Sequence, residues 1–355
     1  METTRTQKCR TDPAGVVRIA NAGPLFDGRS HRTGAPSSRA NPLSPTRFCR
    51  FIRRMTSAAV ATVRVPGTTA NLGSGFDTLG LAVAFYNRAE VRRRADRRID
   101  ITSPIAEAAR AGALAMLEEA AEAFFKKTRR GRFGIDIHLS GDVPIARGLG
   151  SSVTARLGCV AGLNALHGSP LDRQGLLELV AALEGHPDNA APAVFGGFTA
   201  AGFVGDEVRC LRVPLPAKVR LVTLIPDFEV STPEARKRVP QTFSKADTIH
   251  ILNRASLVTA AFATGRLEAL RGCFDDRIHQ PYRAPLIPGM DAILAAGVKA
   301  GAVGGWLSGS GSTLMCLAID QPEAVARALQ RKMPKAAVHI LKPDNSGLKV
   351  DLKEA

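Results

Sequence analysis

Residues Pro144-Ile145-Ala146-Arg147-Gly148-Leu149-Gly150-Ser151-Ser152 join an alternating apolar run to a long apolar helical pattern. Upstream, residues 133–143 put Ile135, Ile137 and Leu139 on one face and Asp136, His138 and Ser140 on the other, the period of a half-buried strand. Downstream, residues 153–166 read as an apolar helix. Glycines at such a junction let backbone approach a ligand closely. The start of the helix offers unpaired N–H groups and a positive dipole end to phosphate. This is not a Walker A loop, because the spacing differs and the lysine of GK[ST] is absent. A tight turn with serine capping is the competing reading. Two glycines and two serines are more than capping needs.

Working outward, residues 60–65 read as a strand that Pro66 ends, and residues 68–78, crowded with Gly, Asn and Asp, as a loop. Residues 79–91 return to strand composition. Residues 106–127 carry Leu114, Leu117, Ala121 and Phe124 at helical spacing. A second helix is expected over 171–183 and a strand pair over 196–203 and 207–213. Pro214 and Pro216 mark a domain joint. Beyond it, residues 219–225 predict a strand, 246–264 and 288–296 helices, 306–307 and 313–319 strands around a glycine loop, and 322–332 a last helix. This irregular alternation predicts an α+β chain in two domains. The expected boundaries are a basic extension over 1–55, an N-terminal domain over 56–213 and a C-terminal domain over 214–355.

Composition narrows the function classes. The chain of 355 residues is 45% hydrophobic, enough for one large core or two modest ones. No apolar run reaches the roughly 18–20 residues of a membrane span. The six cysteines, Cys9, Cys49, Cys159, Cys210, Cys273 and Cys316, form no CxxC pair, which argues against a zinc site or a disulfide framework and suits a reducing cytosol. The net charge of +16 is unevenly spread: residues 1–54 hold eleven Arg/Lys against three Asp/Glu. That segment is rich in Pro, Ser, Gly and Arg and has no apolar periodicity, a composition that does not offset ordering entropy. Its acid-poor, Arg-rich character also fits an organelle transit peptide. The simpler reading is an upstream extension, with the working protein starting near Met55. Two tyrosines and one tryptophan offer few stacking platforms, so no nucleic acid is expected as partner, and without a spanning apolar run no membrane is expected either.

Two further glycine loops flank the first. One is Pro66-Gly-Thr-Thr-Ala-Asn71-Leu-Gly73-Ser-Gly75-Phe-Asp77, where Asn71 and Asp77 by themselves are ordinary turn residues. The other, Leu307-Ser308-Gly309-Ser310-Gly311-Ser312-Thr313, by itself fits a hairpin connection. In this order the three loops resemble the motifs of the GHMP kinases, a family that includes galactokinase, homoserine kinase, mevalonate kinase and phosphomevalonate kinase. The resemblance runs from about Val60 to the C-terminus. The segment ANLGSGFDTLGLA looks like the homoserine kinase branch. EGHPDN at residues 184–189, STPEAR at 231–236 and PYRAPLIPG at 281–289 agree with that choice.

The resemblance implies an N-terminal domain of the ribosomal-protein S5 type and a ferredoxin-like C-terminal domain. It implies ATP-dependent phosphorylation of the side-chain hydroxyl of L-homoserine in the cytoplasm, with Mg2+ and a place in threonine biosynthesis. The loop Pro144, Ile145, Ala146, Arg147, Gly148, Leu149, Gly150, Ser151 and Ser152 would wrap the ATP phosphates. Ser152 and Glu184 would hold Mg2+, which favours a few protein oxygens. Asn71 would orient the acceptor hydroxyl and Asp77 would receive the substrate ammonium. Arg236 and Arg283 would clamp its carboxylate, a task suited to the guanidinium fork. His186 would line the same site. No catalytic base is evident, and direct in-line transfer by positioning and charge stabilisation demands none.

The chain departs from the family pattern in three places. Val153 follows the serines where a small residue is usual, so crowding of the phosphate loop is expected. Ser312 replaces a usual proline, and residues 106–127 lack the asparagine that often contacts the nucleobase. The alternatives are another GHMP kinase such as mevalonate kinase, or a non-catalytic GHMP-fold regulator. A homodimer is compatible with the sequence.

Overall fold

The computed structural model describes residues 59–353, so the reading of residues 1–55 as an extension lies outside the described residues. The first half runs β1 (Val60–Ala70), β2 (Leu79–Arg93), β3 (Ile99–Ile101), α1 (Glu107–Thr128), β4 (Ile135–Gly141), α2 (Ser151–Leu166), α3 (Arg173–Glu184), α4 (Ala190–Phe195), β5 (Phe198–Val204) and β6 (Glu207–Val213). The second half runs β7 (Arg220–Ile225), α5 (Thr232–Lys237), α6 (Lys245–Thr264), α7 (Gln280–Arg283), α8 (Met290–Lys299), β8 (Gly304–Leu307), β9 (Leu314–Ala318), α9 (Pro322–Lys332), β10 (Ala337–Leu341) and β11 (Lys349–Lys353).

The expected strand over 60–65 is longer than its residues suggested. β1 continues through Pro66 to Ala70, taking in part of the expected loop. Two features tolerate the proline, which has no N–H to give a ladder. The register with β2 shifts between Pro66 and Gly67. On the other side β11 pairs only with Val60–Arg64, so no neighbour asks Pro66 for a donor.

Seven strands form the first sheet, in the order β11-β1-β2-β4-β3 with β5 on β2 and β6 on β5. β3 and β4 run parallel, and the other pairs are antiparallel. The last strand of the chain thus returns to the first sheet. Apolar residues of one sheet face, among them Val63, Ala89, Val91, Ile135 and Ile137, share a core with Leu117, Phe124, Leu157, Val160 and Leu177. α2 is the central helix, buried along nearly its whole length. Gly158 and Gly162 let it lie close on β2, since a Cβ at either would run into Ala89 or Val91. This close seat fixes where the first turn of α2 points.

The second sheet has four strands in the order β10-β7-β9-β8. Its first strand lies between its fourth and third, in a β-α-β-β-α-β chain order, which is the ferredoxin-like arrangement. Alternate residues of β7 enter two different cores: Leu221 joins Phe262, Trp306 and Met315, while Val222 and Leu224 join Ile293, Val325 and Leu329. Burial on both faces explains why β7 and β9 read as continuous apolar runs rather than alternating ones. The core around Trp306 also takes in Leu72, Leu81 and Leu149, so it connects the first two glycine loops to the second sheet.

Candidate active site

The three glycine loops converge at the first turn of α2. Ser308 Oγ donates to Gly148 O at 2.7 Å, and Thr313 N donates to Arg147 O at 3.2 Å. Gly309 N donates to Ala70 O at 3.3 Å, and Asn71 Nδ2 donates to Gly309 O at 3.1 Å. Gly148 has a φ of 75°, and a Cβ there would overlap the Ser308 carbonyl oxygen. Glycine is what lets the middle and third loops touch.

A cavity of about 420 Å³ opens at this junction. Among its lining residues are Asn71, Asp77, Ala146, Gly148, Gly150, Ser151, Ser152, Glu184, His186, Arg236 and Arg283, drawn from positions up to 212 apart in sequence. Of the residues expected in the phosphate loop, Pro144, Ile145, Arg147 and Leu149 do not line it. Leu149 is buried in the core between the sheets, and Ile145 faces outward. Arg147 reaches to the Pro226 and Asp227 carbonyls and tethers the loop to the second half. Val153, expected to crowd the loop, turns inward and is 1% exposed in the core of the first domain. It lies on the face of α2 that joins the core with Leu157 and Val160, and it is not among the residues lining the cavity. Ser312 Oγ donates to Phe228 O at 2.6 Å, which holds the third loop to the segment after β7.

At one end the cavity meets the N-terminus of α2. Gly150 takes the N-cap position in the left-handed region with no side-chain cap, and the first turn holds no acidic residue. The leading N–H groups and the positive end of the helix dipole therefore face the cavity, an arrangement suited to an anion. Beside it, Ser152 Oγ donates to Glu184 Oε2 at 3.2 Å. Glu184 ends α3, where the left-handed Gly185 stops the helix.

At the other end the charges are dense. Arg236 and Asp77 form a bidentate pair, with nitrogen–oxygen distances of 2.9 and 3.0 Å. This hydrogen bonding raises the Arg236 pKa despite burial. Arg283 is 2% exposed and has no carboxylate within 4.0 Å among the described residues. Its Nη1 donates to Gly309 O at 3.1 Å and its Nε to Ala235 O at 3.3 Å. Burial, with repulsion from Arg236, pushes its pKa down to about 10. Arg283 Nη1 also lies 3.4 Å from His279 Nδ1. Held by two carbonyls and an imidazole, this buried guanidinium has no carboxylate against it among the described residues, a setting suited to an anionic ligand. Asn71 is committed at both ends of its amide, since its Oδ1 accepts from Asp77 N at 3.0 Å. It ties the first loop to the third.

His186 Nδ1 lies 2.6 Å from Asp188 Oδ1. Burial by itself lowers its pKa, but the hydrogen bond and charge of Asp188, with Asp77 beyond, outweigh burial and raise it. Behind the arginines, Phe76 stacks on His279 at 5.1 Å, and the Arg236 and Arg283 guanidiniums lie 5.7 and 5.2 Å from its ring centre. The wholly buried His279 has its Nε2 2.8 Å from Gly73 O, and burial lowers its pKa.

Sequence reasoning gave no role to Asp188, Asn189, Thr232, Ser310 or Arg156, which all line the cavity. The first three sit inside EGHPDN and STPEAR, so the signal was at hand. Arg156 follows Ser152 by four residues on one helix, a spacing that puts both on one face.

The comparisons with known proteins agree in direction. Residues 115–197 match the model of the GHMP kinases N terminal domain, and residues 258–336 that of the GHMP kinases C terminal. A homoserine kinase of Moorella thermoacetica is 40% identical over 289 residues, covering 80% of this chain and 98% of that protein. The homoserine kinase of Thermus thermophilus is 41% identical over 266 residues, 75% of this chain and 89% of that protein. The crystal structure of a homoserine kinase from Cytophaga hutchinsonii superposes with a TM-score of 0.75 at 25% identity, over 82% of this chain and 97% of that one.

Proposed function

The chain belongs to the homoserine kinases of the GHMP kinase family, and from that premise we propose that the cavity at the three loops is where ATP and L-homoserine meet. The reaction is transfer of a phosphoryl group from ATP to the side-chain hydroxyl, giving O-phospho-L-homoserine. One observation carries the site assignment: the uncapped start of α2 and Arg283, which has no carboxylate within 4.0 Å among the described residues, open onto the same cavity. An anion-binding end and an amino-acid-binding end thus lie within reach of each other.

In this reading the backbone from Ala146 to Ser152 binds the phosphates, through the helix start and the glycines rather than through side chains. Arg283 takes the substrate carboxylate, with Arg236 beside it. The ammonium adds to the Asp77–Arg236 pair, since each carboxylate oxygen has a second lone pair to offer, while Asp188 and His186 line the same end. Asn71 acts by keeping the first and third loops in register, so that the hydroxyl meets the phosphate end.

Ser152 and Glu184 fit a hard divalent cation: they offer a hydroxyl and a carboxylate oxygen 3.2 Å apart at the phosphate end. When bound there, Mg2+ would neutralise charge building on the transferred group. The protein's own part is to align the acceptor and exclude misoriented encounters.

We assign residues 56–213 to ATP binding and residues 214–355 to the second domain, with the β11 strand serving the first sheet. No helix among the described residues is long and apolar enough to cross a membrane. Cys159, Cys210, Cys273 and Cys316 are free thiols, which supports the cytoplasm as its compartment. A homodimer is the assembly to test by sedimentation.

The decisive assay measures ADP release with homoserine, serine, threonine, mevalonate and galactose under one set of conditions. Homoserine should be used far better than the others. Mevalonate carries a carboxylate but no ammonium, so Asp77 and Asp188 repel it. Equal turnover of mevalonate and homoserine would overturn the substrate assignment.

A further inference from the structure

Arg156 stands one helical turn after Ser152 and reaches toward the same carboxylate. Its Nη1 is 2.6 Å from Glu184 Oε1 and 3.2 Å from Leu183 O, and its Nη2 is 2.8 Å from Glu119 Oε2 on α1. The Arg156 and Glu184 side chains are 14% and 12% exposed, whereas Glu119 is half open to solvent at 55%. The two oxygens of Glu184 are thus divided: Oε1 belongs to Arg156, and Oε2 is turned to Ser152 and the cavity. Helix bridging does not account for the whole arrangement. Arg156 Nε is buried and finds no hydrogen-bond acceptor among the described residues, a cost that a bridge shaped for stability would avoid.

We propose that Arg156 is a positioning residue that holds Glu184 to a single metal-facing oxygen and thereby sets the preference of this kinase for Mg2+ over Ca2+. The proposal rests on the assignment of Glu184 as a metal ligand. Mg2+ takes six ligands in a tight octahedron and keeps several waters, so one oxygen from a fixed carboxylate suits it. Ca2+ takes six to eight ligands and readily uses both oxygens of a carboxylate. With Oε1 pinned by a largely buried guanidinium, Glu184 would have only Oε2 to offer a cation. Glu119 acts behind Arg156 by holding the other side of its fork.

The test reads metal binding as well as turnover. Mn2+ binding to the enzyme with a non-hydrolysable ATP analogue is followed by electron paramagnetic resonance, with Ca2+ as competitor. In Arg156→Met, Ca2+ should displace Mn2+ about tenfold more readily and kcat should fall about 10- to 100-fold, the usual range for loss of a group that orients a ligand. The homoserine KM should stay within about twofold, because Arg156 does not reach the amino-acid end. Arg156→Lys should recover part of the discrimination, since an ammonium can still hold one oxygen. Glu119→Gln, on the solvent side, should shift the metal ratio in the same direction by less, and it carries the test if Arg156→Met does not fold. A lowered melting temperature with metal ratio and kcat unchanged would make Arg156 a structural bridge and overturn the proposal. Glu184→Gln separates the two layers. If it weakens Mn2+ binding while Arg156→Met leaves the ratio untouched, only the Arg156 proposal falls. If it leaves Mn2+ affinity unchanged, the metal reading falls and the proposal with it.

Discussion

Asp77 and Arg236 were expected at opposite ends of the substrate, and the structure joins them in a bidentate pair. Each residue still has a partner to lose. A hydrogen bond to a charged group contributes roughly 1.5–3 kcal/mol, which converts to about 10- to 150-fold in affinity. Asp77→Asn should therefore raise the homoserine KM by about that factor and leave the ATP KM nearly unchanged. Steady-state kinetics with each substrate varied in turn checks this; an unaltered homoserine KM would remove Asp77 from the site. His186 makes a prediction about pH. Its folded-state pKa is raised above the ordinary value of 6.5, so the folded chain keeps the proton to higher pH than the unfolded chain. The stability it contributes is complete below pH 6.5 and is lost as pH rises through the raised value. Urea unfolding of wild type and His186→Gln across that range should show a loss in wild type that the variant lacks; parallel curves would refute it.

The informative elements are the short ones. Composition located the long helices α1, α2, α6 and α9 to within a few residues, because an apolar face at helical spacing survives any tertiary context. It missed α4, α5 and α7, which span 4 to 6 residues. Segments that short cannot show a period. Their order comes from capping, such as Ser231 on the Glu234 N–H, and from packing. Helix α5 carries Arg236 and α7 carries Arg283, so the two cavity-lining arginines of the proposed substrate end stand on elements that sequence periodicity does not reveal. At the middle glycine loop, proposed to bind phosphate, the geometry itself can be tested. Gly148→Ala must accept a φ of 75° and an overlap with the Ser308 carbonyl. It should cost more than about 1 kcal/mol of stability and raise the ATP KM, since the misfit is with backbone that cannot step aside. Gly168 has nearly the same φ, 76°, but nothing within 4 Å of an added Cβ. Gly168→Ala should lose roughly 1 kcal/mol from backbone strain alone and leave the ATP KM as it is. Denaturant unfolding with matched kinetics distinguishes the two; equal effects on KM would mean that the contact between loops is not what matters.

For the molecule as a whole, the first sheet is finished by the last strand. β11 pairs with Val60–Arg64 and covers the outer edge of β1. Its five residues are all exposed, so it buries little apolar surface and acts mainly by capping an edge. A chain ended before Lys349 should remain active when fresh and cool, yet unfold at lower denaturant and aggregate faster, as light scattering during warming would show. Unchanged aggregation would mean that the β1 edge is protected in another way. At the other end, every motif and every described element lies beyond Met55. A chain begun at Met55 should keep its kcat and both KM values.

The sequence alone determined an α+β chain, because a strand period, a helix period and the glycines between them reside in local order. Its likeness to the GHMP kinases rested on something else, the succession of three glycine loops with EGHPDN, STPEAR and PYRAPLIPG. The tertiary structure decided what each charged residue faces. Ion pairs such as Asp77–Arg236 join positions 159 apart in sequence, and the buried Arg283 is held by carbonyls of α5 and of the third glycine loop, far from it in sequence. Pairing and burial depend on which elements pack together, and no local pattern encodes that. The same reason hid Arg156: its spacing from Ser152 was legible, but the meeting of α1, α2 and α3 at Glu184 was not.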